Sequence, residues 1–484
     1  MALTDLPEEI IEKIVEKFSV KDLLACSAVS LEWRETFNVD AFWRRFCFRE
    51  IKDYLENTPC EVEPGFRLPE ENEVRLQPLC SWRIHYMRKV HLLNNWKNNR
   101  YSALSFRTNL EIMSSEVKID SDGIHWIFIM TETALEVWNV NTKPQLLYAQ
   151  IPIFDCCPNT GVFLSGKTLV ITQWNVASVY DFNNSSEHCK ILYRFLVEEN
   201  KHLPLRLLNS TDILEADFMN QDDDFRFINF ENILVSYKRI PNPLIDSSMH
   251  LWDVFKGVKL SVVSMSTSLS VENEIAFTNI FRIDNSRGMI RHVFRSPDSI
   301  LYTKLVVYDF KKLKFTNIDI TFEGVTVWCG YAQDVIVTFT SHPGTIKFYS
   351  YSVGKLLWVK EIGEYTNSEQ MQLIDSYLLY CMFNCLNVLD IHKQEVVYCL
   401  AFSFYSFVRR LTVIEPQFVV VWLLERGGSP GCPTYYQEVW DIKDLNNKLL
   451  ECSSELGYEL FSHSSSIIKQ IISHDGMLSV YTFW

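Results

Sequence analysis

The chain has 484 residues, of which 47% are hydrophobic, 22% charged and 14% aromatic, and its formal net charge is −14. That composition is of a folded protein of about two to four domains, or fewer if one is a repeat architecture that adds a little core with each unit. The acidic balance repels phosphate backbones and argues against general nucleic-acid binding.

The opening stretch, MALTDLPEE, lacks a basic region followed by an apolar core and is not expected to be a signal peptide. The longest purely apolar run near the C-terminus, Phe418–Leu424, is far short of the ~20 residues a membrane helix needs. A soluble protein of the cytoplasm, the nucleus or both is expected, with no membrane partner. The 13 cysteines are scattered. Cys156 with Cys157, and Cys381 with Cys385, are the closest groups, and neither has the second pair of ligands that zinc requires. Reduced thiols packed as small hydrophobes are expected.

Residues 1–100 read as helical. Pro7 suits a first helical position, Glu8 and Glu9 suit the positive end of the dipole, and Ile10, Ile11, Ile14, Val15 and Phe18 follow at helical spacing. Ser19 to Asp22 is a capping-box pattern before a second helix with Leu23 and Leu24. Ser30 is expected to cap a third helix with Trp33 and Phe37, and Asp40 a fourth with Phe42, Trp43 and Phe46. Residues 57–78, with Pro59, Pro64, Pro69 and Pro78, read as an exposed acidic loop. Residues 80–100 turn helical again and carry Arg83, Arg88, Lys89, Lys97 and Arg100 without an acid. Such a segment could bind an anion; the expected role is a connecting helix whose basic face is solvated or meets an acidic neighbour.

From residue 101 onward, short alternating apolar runs are separated by Asp, Asn, Gly, Pro and Ser, the texture of strands. A motif recurs, an alternating strand ending in an aromatic or Leu and usually Asp: Trp138-Asn139, Tyr180-Asp181, Trp252-Asp253, Tyr308-Asp309, Tyr349-Ser350, Leu389-Asp390, Trp440-Asp441 and Tyr481-Thr482. Four of the seven spacings fall at about 40–45 residues, the length of a four-stranded propeller blade. Eight motifs suggest eight blades, or seven if one is false. The long intervals leave room for insertions, notably around Asp222–Asp224. The last motif leaves a blade one strand short, and Tyr101–Arg107 is placed to supply it, which would close the ring.

Leu6-Pro7-Glu8-Glu9-Ile10, Ile14-Val15, Asp22-Leu23-Leu24, Val29-Ser30, Trp33-Arg34, Phe42-Trp43 and Phe46-Cys47 together closely resemble an F-box over residues 3–49. The aromatic-Asp endings resemble WD40 repeats, although the Gly-His pair that opens such a repeat is missing. Asn95-Trp96-Lys97 resembles the end of the linker in F-box/WD-repeat proteins. The resemblance implies an α+β multidomain chain: an all-α F-box at 1–50, an acidic loop and helical linker at 51–100, and an all-β, WD40-like propeller at 101–484. It further implies the substrate-recognition subunit of an SCF (Skp1–cullin–F-box) ubiquitin ligase, binding a Skp1-like adaptor and through it a cullin–RING core. Leu6, Pro7, Ile10, Ile14, Leu23, Leu24, Val29 and Trp33 are the expected adaptor contacts. Trp43 and Phe46 either join them or pack the module onto the propeller.

The client and the residues that bind it are unknown, as is whether it must be phosphorylated. Arg282, Arg287, Arg291, Arg295 and the pair Arg409-Arg410 are candidates, because arginine matches phosphate bidentately; the plainer reading makes them solvated surface residues. No GxSxG, HExxH, phosphate-cradling glycine loop or carboxylate pair is present. No catalytic residue, metal site or cofactor is expected, and the chain is read as a non-catalytic subunit. The alternative is a propeller scaffold for protein–protein interaction outside any ligase.

Overall fold

The structure, a computed structural model, describes all residues except 1–5, 48–51, 69–78, 99, 108–111, 120–124, 140–145, 154–159, 174–175, 183–189, 197–224, 239–247, 266–273, 341–343, 363–369, 383, 404–405, 415–417, 426–433, 443–447, 455–459, 464–467 and 473–476. The region around Asp222–Asp224 therefore lies outside the described residues. Two compact units emerge: Met1–Arg107 with His463–Ser473 and Met477–Trp484, and Thr108–Ser462 with His474–Gly476.

The first unit carries helices α1 (Glu8–Val15), α2 (Val20–Ser27), α3 (Leu31–Phe37), α4 (Asp40–Arg44), α5 (Lys52–Asn57) and α6 (Ser81–Lys97). Pro7 precedes α1 in extended conformation, where its missing N–H costs nothing. The Ile10–Phe18 stripe divides: Ile11 and Val15, one turn apart, point inward, whereas Ile10 faces solvent. At α2 the expected capping box forms, the Asp22 N–H donating to Ser19 Oγ (3.3 Å) and the Ser19 N–H to Asp22 Oδ2 (2.7 Å). Ser30 caps α3, accepting from the Trp33 N–H at 3.2 Å.

Asp40 departs from its expected role. Helix α4 has no side-chain cap, and Asp40 is its first residue. Its Oδ1 instead accepts the Trp82 N–H (3.0 Å), while Asn38 Oδ1 accepts the Cys80 N–H (3.0 Å). Helix α6 has no cap of its own, so two of its orphan donors are satisfied from 42 residues away. Lys89, buried in α6, donates back to the Phe46 carbonyl at 3.4 Å.

The far end of α6 is held by strands of the same unit. Ser102–Arg107 pairs antiparallel with Met477–Thr482, Ser102 opposite Thr482 and Arg107 opposite Met477. The strand thus lies beside the last motif, as the sequence reading expects. Met477–Thr482 pairs in turn with Ile468–Ile472. Just beyond, the Asn95 amide donates to the Phe483 carbonyl (3.0 Å), and Trp96 stacks on Phe483 with ring centroids 3.9 Å apart. The Trp484 indole N–H donates to the Thr58 carbonyl at 2.7 Å.

Among the described residues the second unit holds seven antiparallel four-stranded sheets. The first comprises Ile112–Ile119, His125–Thr131, Ala134–Asn139 and Leu146–Pro152; the others span 161–196, 225–264, 274–323, 326–361, 371–401 and 406–454. In every one the recurring motif ends the third strand, and in three of them its Asp supplies the turn that follows. Asp253 Oδ1 accepts the N–H groups of Phe255 and Lys256 (3.0 and 2.9 Å), Asp390 Oδ1 those of His392 and Lys393 (2.9 and 3.0 Å), and Asp309 Oδ1 that of Lys312 (2.9 Å). The residue four positions past the aromatic-Asp ending then takes positive φ: Gly257 (68°), Leu313 (52°), Gly354 (67°) and Gln394 (61°). A strand ending in a carboxylate thus turns back by accepting the otherwise unpaired amides of its own hairpin.

Neighbouring sheets share their cores in chain order. Trp126 of the first sheet clusters with Phe182 after the second, Phe195 of the second with Trp252 of the third, and Phe230 of the third with Phe310 after the fourth. Ile320 packs with Ile336, Phe339 with Leu378, and Val388 with Val421, carrying the stack to the seventh. A small helical region followed by many four-stranded antiparallel sheets, each covering the next, is consistent with a propeller.

Candidate functional site

The helical module is built around Ile11, Val15, Leu23, Phe37, Phe42 and Trp43, with Leu6, Phe18, Trp33, Phe46, Trp82 and Tyr86 packed against them. Aromatic contacts bind it together: Trp33 to Phe37 at 5.6 Å, Phe37 to Phe42 at 6.3 Å, Trp43 to Tyr86 at 5.7 Å. The Trp43 indole N–H is satisfied by the Phe37 carbonyl (2.9 Å). Trp43 and Phe46 therefore pack the module onto its own helix α6, since both rings meet Tyr86.

The core nevertheless leaves large apolar side chains in solvent: Ile10 (43% exposed), Leu24 (45%), Val29 (63%) and Leu31 (68%), with Pro7 exposed as well. Four exposed aliphatic residues within so short a span mark an interaction surface more readily than scattered surface leucines do. Of the sequence candidates, Pro7, Ile10, Leu24 and Val29 lie in solvent, and Leu6, Ile14 and Trp33 are half-buried. Leu23 is corrected: at 0% exposure it is a core residue and offers nothing to a partner. Leu31 was not among the candidates, although an apolar residue directly after the Ser30 cap, at the first turn of a short helix, is the signal that could have found it.

The electrostatics around this surface are local. The Asp22 carboxyl is held below its usual value by hydrogen bonds from the Ser19 hydroxyl and backbone. The Cys47 thiol, pushed up to about 12 by burial, stays neutral and donates to the Trp82 carbonyl. Arg45 donates to the Phe18 carbonyl (2.7 Å), tying the end of α4 to the turn after α1. In α6, Arg88 meets an acidic neighbour, Glu56 of α5, at 3.6 Å.

The client-binding candidates are not brought together. Arg287 is engaged by Asp284 (2.6 Å) and the Tyr351 hydroxyl (2.8 Å). Arg291 is corrected from surface candidate to interior residue: it is buried, donates to the Thr326 carbonyl (2.7 Å), and lies 5.1 and 4.9 Å from the rings of Phe277 and Phe281. Arg282 is exposed but hydrogen-bonded to its own turn through Asp284 and Asn285. Arg295, Arg409 and Arg410 are exposed, the first in the fourth sheet and the other two in the seventh. Among the described residues no group of three or more His, Cys, Asp or Glu side chains could hold a metal ion, and no helix is long and apolar enough to cross a membrane.

Comparison with known proteins gives three findings. No curated protein sequence matches the chain. Among solved structures, BamB from Moraxella catarrhalis is similar at 10% identity and a TM-score of 0.40, covering 79% of this chain and 99% of its own. KlHsv2 with loop 6CD replaced by a Gly-Ser linker is similar at 7% identity and a TM-score of 0.37, covering 71% and 98%. The third match is to a family, and it falls on the helical module with its uncovered aliphatic residues: the chain carries an F-box-like domain at residues 3–49.

Proposed function

We propose that the chain is the substrate-recognition subunit of an SCF-type ubiquitin ligase. The observation that carries this reading is the set of exposed aliphatic side chains, Ile10, Leu24, Val29 and Leu31, on an F-box-like domain whose own core is already filled. F-box domains bind Skp1-like adaptors, and an adaptor covering these residues would remove apolar surface from water at about 25 cal/mol per Å². Pro7, Ile10, Leu24, Val29 and Leu31 would make the direct contacts; Leu6, Ile14 and Trp33 would shape the surface from beneath.

On this reading the chain performs no chemistry and works by position. It raises the effective concentration of a client lysine near a ubiquitin-charged enzyme recruited by the cullin–RING core. Orientation then matters, and the clamp of Asn38, Asp40 and Lys89 on α6 supports it, because it fixes the F-box to the linker. The seven sheets would be WD40-like blades, with Ser102–Arg107 and Met477–Thr482 contributing to an eighth that closes the ring. The client would meet blade loops, with Arg295, Arg409 and Arg410 the basic candidates left free of internal roles. Cytoplasm or nucleus is the compartment this reading calls for.

The test is affinity purification of the full chain and of the Leu24→Asp, Leu31→Asp double variant. Wild type should retain Skp1 and a cullin, and the variant neither. Retention of Skp1 without a cullin would make the chain a scaffold outside the ligase. Equal recovery with both proteins would reject the assigned face.

A further inference from the structure

Beside the exposed aliphatic face, the first unit holds a cleft of about 870 Å³ walled by helices α2 to α4, the loop at residues 63–67 and one side of α6. Its apolar walls include Leu24, Phe66 and Tyr86, with the buried Trp43 behind them, and three guanidinium groups line it, those of Arg34, Arg67 and Arg83. Glu63 is the acidic residue among the described lining, and its Oε2 already accepts the Gly65 N–H (3.2 Å). His91 adds a further nitrogen base.

Arg83 is the anomaly. Its guanidinium lies 5.0 Å from the Trp43 ring centroid, and its Nη1 is buried without a hydrogen-bond acceptor among the described residues. Burial, and then the like charge of Arg34, depress its pKa. A guanidinium that is partly dried, placed near another and given no carboxylate among the described residues is a costly arrangement. The cost is relieved by an anion that accepts charge-assisted hydrogen bonds from the pair. A small inorganic anion would leave the aromatic walls wet and most of the volume unfilled. The cleft is of the size and apolar character that buries organic side chains around a few polar anchors. The positive charge also runs against a chain whose net charge is −14, so it is a local feature and not part of a general basic surface.

We propose that this cleft binds an acidic segment of a partner protein, a carboxylate meeting Arg34 and Arg83 while a neighbouring apolar side chain packs against Leu24, Phe66 and Tyr86. The site goes beyond the adaptor reading and does not rest on it: Leu24 lines both surfaces, but Arg67 and Arg83 lie outside the F-box-like match at 3–49.

The experiment uses the full chain and a fluorescein-labelled peptide pool with glutamate fixed at alternate positions and apolar residues between, read by anisotropy. A second pool carries lysine in place of glutamate. The acidic pool should bind saturably and the lysine pool should not. Arg83→Met, which keeps an apolar stem over Trp43, should weaken binding about ten-fold or more and should also raise the melting temperature, because an uncompensated charge is removed. Arg67→Met should weaken binding without that rise. Skp1 capture should be unchanged in both, which separates failure here from failure of the adaptor reading. Equal binding of the two pools, no binding of the acidic pool, or displacement by equimolar inorganic phosphate overturns the proposal. So does an Arg83→Met variant that binds normally or melts lower than wild type, since the guanidinium would then be structural.

Discussion

Replacing Leu23 and Leu24 by alanine, one at a time, should separate folding from recognition at adjacent positions. Leu23 is fully buried against Ile11, Val15, Phe37 and Trp43. Truncating a leucine in such a site costs about 3 kcal/mol, the transfer of its methyls plus the cavity they leave. That is a large share of the about 5–15 kcal/mol that holds a typical domain together. Hydrogen exchange of amides in residues 8–44 reads the loss locally, and 3 kcal/mol corresponds to protection lower by about two orders of magnitude. Leu24 has 45% of its surface in water. Its truncation should leave exchange nearly unchanged. Covering its exposed half with a partner yields about 1 kcal/mol, so Leu24→Ala should raise the Kd for Skp1 about five-fold. Isothermal titration calorimetry measures that change. A Leu23→Ala variant that exchanges like wild type, or a Leu24→Ala variant with unchanged Kd, would refute the division between core and face.

Three further outcomes follow from the geometry. Alanine at both Asn38 and Asp40 should cost α6 about 1 kcal/mol per lost cap, seen as faster exchange in residues 81–97, with Skp1 affinity retained. Asp22 has a folded-state pKa below its usual 3.8, so its contribution is present above that value and is lost as pH falls through the lower one. Acid titration of α2 by carboxylate NMR should show this, and Asp22→Asn should abolish it. Gly257→Ala should destabilise more than Gly354→Ala. Both have φ near +68°, but an added Cβ at Gly257 lies 3.0 Å from the Tyr193 ring, whereas at Gly354 its nearest neighbour is 3.6 Å away. Urea midpoints measured on both variants check the order.

Caps made by near neighbours and the strand order implied by the repeat were legible; single contacts between distant residues were not. The Ser19–Asp22 box and the Ser30 cap span only four residues each, and both form as read. Asp40 looks like the same device, yet its partner is the Trp82 amide, which no local pattern could name. Helix α5, six residues closed by a Lys52–Glu56 pair at 2.6 Å, was missed because it is too short to show a period. Leu23 and Leu24 are indistinguishable by composition, and an eight-residue helix fixes its phase too loosely to say which one is inside. The repeat was readable because the aromatic and the carboxylate act together, one in the inter-sheet core and one in the turn. Arg291 was misjudged because arginine is normally a surface residue; here Phe277 and Phe281 cover its guanidinium and the Thr326 carbonyl takes one of its donors.

The contact between Asn95 and Phe483 joins residues 388 positions apart. At about 5–20 residues per second, a ribosome needs roughly twenty to eighty seconds to make the second after the first. Through that interval the F-box-like domain has everything its own core requires, while the rear half of its connecting helix waits for Phe483 and Trp484. A chain interrupted anywhere among the sheets would therefore present a docking head whose aim is not set. On the adaptor reading proposed above, such fragments would compete with chains that reach Phe483 for the same adaptor, a dominant-negative liability written into the order of synthesis.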